Sequence, residues 1–85
     1  MAMTQEQIQS TIKAARDSVW VIDNSLEKLS NGAEATDEIK SNIDRNVSHL
    51  KIIVGSPEIT NSGEDISDLY QAITDGEAKL AELNQ

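Results

Sequence analysis

His49 is the one imidazole in an 85-residue chain without cysteine, and Ser48 stands directly before it. Serine and histidine work as nucleophile and base only when the hydroxyl reaches the ring. Adjacent residues of a helix point about 100° apart, so a helical Ser48-His49 pair does not meet this condition. The helical neighbours of His49 are Arg45, Asn46, Ile52 and Ile53, none of them a carboxylate that would orient the ring. A single histidine without cysteine also falls short of the usual zinc ligand sets. His49 is therefore expected to be a partly exposed helix residue.

Carboxylates are abundant, with fifteen acids against seven bases. Acid–base catalysis needs a pair whose environments push their pKa values apart. Glu64, Asp65 and Asp68 instead crowd one helix start, where the helix dipole by itself favours anions. The 55–65 loop lacks the alternating oxygen ligands of a calcium loop, and no glycine-rich phosphate loop occurs. Asn46-Val47-Ser48 has the form of a glycosylation acceptor but lies mid-helix, in a chain whose start lacks a secretion signal. The residues predict no enzyme, no metal and no cofactor.

The elements that carry these residues are helices. Thr4 and Gln7 have capping-box spacing, and Ile8, Ile12, Ala15, Val19, Ile22, Leu26 and Leu29 follow at alternating steps of four and three. Asn31-Gly32 supplies a left-handed stop, so the first helix is expected over residues 5–30. A second, over 37–54, starts at Thr36 as N-cap with Asp37 and Glu38 in its first turn. Its seam reads Ile39, Ile43, Asn46, Leu50, Ile53, and either Asn46 or the adjacent Val47 can occupy the core position. Gly55 ends it, and Pro57 argues against an early restart.

The 55–63 stretch reads as a loop anchored by Ile59. The third helix is expected over 64–84 on the seam Ile66, Leu69, Ile73, Gly76, Leu80, Leu83. Glycine costs about 1 kcal/mol against alanine inside a helix. Thr74 and Glu77 repeat the capping-box spacing, so a break at 75–76 is expected rather than a close backbone approach. One domain follows: an all-α antiparallel three-helix bundle with heptad-like, coiled-coil seams. The alternative is a helical hairpin that completes its core by oligomerising, since the first helix outlasts the second by about two turns.

Val19-Trp20-Val21-Ile22 places four apolar residues in succession. Val19 and Ile22 belong to the seam, whereas Trp20 and Val21 each lie about 130° from its centre, on opposite flanks. A neighbouring helix in the bundle can cover Val21, which otherwise stands with Trp20 as a candidate partner contact. Trp20 either lies flat on the bundle or anchors another chain, tryptophan being enriched among interface hot spots. Charge offers a second contact. Residues 56–85 hold seven acids against Lys79 alone, which aids solubility or steers a basic partner, with Asp65 and Asp68 at its centre.

The net charge of −8 disfavours direct nucleic-acid binding. No apolar run approaches the roughly 20 residues of a membrane span. The expected setting is the cytoplasm of a cell or a particle assembled there.

Asn46-Val47-Ser48-His49-Leu50-Lys51-Ile52-Ile53, then Ser62-Gly63-Glu64-Asp65-Ile66, then Ala72-Ile73-Thr74-Asp75-Gly76-Glu77 resemble short uncharacterised helical proteins of tailed-phage genomes across residues 46–77. The resemblance implies a phage accessory or virion-associated protein and assigns no site residue. Two functions follow as expectations. One is a non-enzymatic assembly protein acting through helix faces, by self-association or with a protein partner. The other is a small acidic inhibitor that blocks a nucleic-acid-binding or effector surface of a host defence enzyme.

Overall fold

Thr4 opens the first helix by accepting a hydrogen bond from the Gln7 N–H at 3.1 Å, while the Gln7 side chain accepts from the Thr4 N–H at 2.9 Å. This reciprocal cap starts α1, Gln5–Ser30, in a computed structural model that describes residues 3–84. At its far end the Ala33 N–H reaches the Lys28 carbonyl and the Gly32 N–H reaches that of Leu29, a Schellman closure. Gly32 makes it possible with a φ of +95°, in the left-handed region open to glycine. The chain then reverses into α2, Asp37–Val54, whose N-cap Thr36 accepts from the Ile39 N–H at 3.2 Å.

Pro57 does not prevent a restart. It sits in the first turn of a short helix, α3, Pro57–Thr60, where its missing N–H has no intrahelical partner to lose. α4 covers Ser67–Leu83 and begins later than the acidic 64–66 segment suggests. Its N-cap is Ile66, without a side-chain cap, and just before it Asp65 closes a local turn: its Oδ1 accepts from the Ser67 N–H at 3.0 Å and the Ser67 hydroxyl at 2.7 Å.

α1, α2 and α4 pack pairwise into an all-α bundle, with no strand among the described residues. Ser18 of α1 meets His49 of α2, and Arg16 of α1 meets Asp68 of α4. These pairings run α2 against α1 and return α4 alongside it. The core centres on Ile12, Ile22, Ile43, Leu50, Ile59 and Leu69, all essentially solvent-free. The part of α1 that extends beyond the end of α2 is covered from within the chain. α3 packs on both helices there, with Ile59 buried and the Met3 N–H bonded to Glu58. The third helix and this cover remove the need for a second copy to finish the core.

Gly76 corrects the expected break, because α4 runs through it without interruption. A Cβ at this position would stand 2.5 Å from Val47 Cγ2, 3.4 Å from Ile43 Cγ2 and 3.5 Å from Ile22 Cγ2. The glycine is a point of close approach where all three long helices meet. Val47 takes the core position and Asn46 turns to the side, its Nδ2 donating to the Asn42 carbonyl at 2.7 Å.

The α1 seam is also broader than the heptad pattern. Ser18 and Ser25 are buried toward α2, while Val19, Leu26 and Leu29 are only partly covered. Alternating three- and four-residue steps describe a helix facing one partner. α1 faces two, so its covered stripe widens.

Candidate protein interface

Trp20 projects from a helix whose buried row is complete without it, and 66% of its surface is exposed. Helical geometry puts it on the same flank as Arg16 and Asp23, one turn to either side. That flank borders α4. Arg16 donates from Nε to Asp68 at 3.0 Å and from Nη2 to the Asp65 carbonyl at 3.0 Å. Val21 lies on the other flank, with Ser18 and Ser25, and is half-buried. The α2 side therefore covers Val21 in part, and among the described residues nothing comparable covers Trp20.

Among the described residues the two other exposed large apolar side chains lie elsewhere. Ile52, 75% exposed, points away from the buried row of α2, and Tyr70, 47% exposed, occupies the flank of α4 remote from α1.

Asp65 and Asp68, the acids singled out for partner steering, both have work within the chain. Asp65 receives the Ser67 hydroxyl and N–H, which with Arg16 hold its carboxyl below the usual range. Asp68 is paired with Arg16. Asp23 is in the opposite position. Partial burial first, then the carboxylates of Asp75 and Asp68, raise its pKa. Among the described residues no Lys or Arg forms an ion pair with Asp23 or Asp75. Asp75 only accepts from Gln71 Nε2, at 2.9 Å. Sequence reading missed this acidic strip. The one local clue was Asp23 three residues after Trp20; its convergence with Asp75 needs the α1–α4 packing.

These shifts have opposite consequences for stability. A carboxyl whose pKa is raised by folding favours the fold when protonated, so Asp23 disfavours it as pH rises through its folded pKa, above the unfolded value of roughly 3.9. Asp65, shifted down, supports the fold above that value and loses its contribution as pH falls through its own lower pKa. Asp23→Asn is therefore expected to raise the thermal midpoint at pH 7, with the gain shrinking toward pH 4. Melting curves across this range check it; a loss at pH 7 would contradict the assignment.

His49 finds a serine, though not Ser48. Its Nδ1 lies 2.9 Å from the Ser18 Oγ across the α1–α2 interface. Ser18 is 5% exposed, and among the described residues no carboxylate hydrogen-bonds to the imidazole. The contact is a polar tie between α1 and α2. Among the described residues no group of three or more His, Asp or Glu is arranged to hold a metal. No described helix is long and apolar enough to cross a membrane.

An open depression of about 460 Å³ lies at the other end of α1, lined by Met3, Ile8, Pro57, Glu58 and neighbouring polar residues. Compared with known proteins, the chain matches no family model, no curated relative and no solved structure.

Proposed function

We propose that this chain is a non-enzymatic accessory or assembly protein of the tailed-phage type, acting by protein–protein contact through the α1 face that carries Trp20. The observation that supports this is the exposed tryptophan beside a core completed by other residues. A large indole left in water forgoes burial worth a few kcal/mol, which a partner surface recovers. The phage assignment draws on the resemblance across residues 46–77. The inhibitor reading has less support, because the acids along α4 are interrupted by cations: Arg16 holds Asp68 and Lys79 holds Glu82.

Trp20→Ala is expected to weaken the contact by about 2 kcal/mol or more. The isolated subunit should keep its melting point within a few degrees. A photoreactive phenylalanine at position 20, in cells that natively make the chain, should yield a cross-linked adduct of defined mass. The same group at exposed Ser48 should not. Equal labelling from both positions, or none at position 20, would remove the Trp20 face from the proposal. Light scattering on the purified chain tells whether the adduct's partner is a second copy.

A further inference from the structure

The face around Trp20 also carries information about the chemistry of its partner. Asp23 stands one turn from Trp20 on the border with α4. Gln5 and Gln9 meet Glu64 and Arg16 meets Asp68 across that border, so seven residues further along each helix Asp23 comes alongside Asp75, where their charges act on one another. Arg16 engages Asp68 and leaves Asp23 and Asp75 without a cation among the described residues. An exposed indole one helical turn from a carboxylate that has no cation partner offers a cation both a π face and charge neutralisation.

A second copy of the chain is the wrong occupant for such a surface. Each copy carries a net charge of −8, and apposing two would add repulsion where negative charge already accumulates. Nor does the chain hold a basic segment to spare. Of its seven Lys and Arg, Arg16, Lys51 and Lys79 are in ion pairs, and the other four are scattered over α1 and α2.

We infer that the Trp20 face docks a basic segment of a different protein, with an arginine or lysine packed on the Trp20 ring beside the carboxylates of the Asp23–Asp75 border. The inference rests on the proposed reading of Trp20 as a contact and adds the partner's chemistry. The carboxylates give orientation and an on-rate that falls with salt, and the indole gives the buried area.

The probe is a tryptophan-free helical peptide with arginines four residues apart, alongside versions bearing glutamine or glutamate at those positions. The arginine peptide should bind saturably at low salt and shift the emission of Trp20, the chain's single tryptophan. The glutamate version should not bind. Asp23→Asn with Asp75→Asn should weaken binding by roughly tenfold, and the weakening should vanish at high salt. Glu34→Gln with Asp44→Asn removes the same charge elsewhere and should change affinity by less than about twofold. The inference is overturned if the arginine peptide fails to bind, if both double variants weaken it alike, or if the glutamine peptide binds equally well.

Failure of the Trp20 reading looks different. In that case position 20 gives no cross-linked adduct, and Trp20→Ala leaves peptide binding intact. An adduct at position 20 to a partner indifferent to Asp23→Asn and Asp75→Asn would keep the contact and refute only the basic partner.

Discussion

Gly76→Ala will lower the melting temperature, although alanine is the better helix former. Propensity alone favours the substitution by about 1 kcal/mol. Against this, the new methyl would meet Val47 Cγ2 at 2.5 Å, with Ile43 and Ile22 behind it. Val47 is β-branched and stiff at χ1, so it cannot swing aside at little cost, and overpacking of a core costs about 1–3 kcal/mol. Gly76→Val should cost more, since its two further methyls enter the same contact with almost no propensity gain. In a small domain it is expected to remove most of the stability.

Thermal or urea unfolding measures both substitutions, and the sign of the alanine effect decides. A higher midpoint for Gly76→Ala would mean that α4 does not approach α2 closely at this point. Val47→Ala provides the companion test. In its background Gly76→Ala should cost less than in the wild-type chain, because the clashing methyl is gone. Strict additivity of the two would exclude the contact.

Leu50→Ala should be the costliest truncation along α2. Its side chain is fully buried in the shared core, and removing a leucine from such a site costs about 2–5 kcal/mol. For a domain of this size that corresponds to a fall in midpoint of roughly 10 °C or more. Leu26→Ala is the informative comparison. By seam position the two leucines are equivalent, yet Leu26 is only partly covered near the end of α1. Its truncation should cost clearly less than that of Leu50, as less surface returns to water and no closed cavity forms. Equal losses would show that burial around α1 is more even than the packing implies.

The helices themselves were legible in the residues. Thr4 with Gln7, Thr36 and Asn31-Gly32 satisfy backbone groups within a few residues of themselves, so they act wherever the segment sits. Apolar spacing does the same for the seams: Ile12, Ile22, Ile43, Leu50, Leu69 and Ile73 are all buried. Trp20 off the seam of α1 was readable for the same reason, since angles around one helix depend only on sequence separation.

Tertiary structure decided what happens between helices. Whether Gly76 breaks α4 or admits Val47 depends on how near another backbone comes. That Ser18 rather than Ser48 meets His49, and that Asp23 shares a border with Asp75 while Asp68 goes to Arg16, depends on axial offset and rotation. Pro57 and Ile59 cover the overhang of α1 because α2 ends where it does. A heptad pattern specifies which face of a helix is covered but not its height against a neighbour. That height is set by the summed packing of all three helices, to which no single segment holds the key.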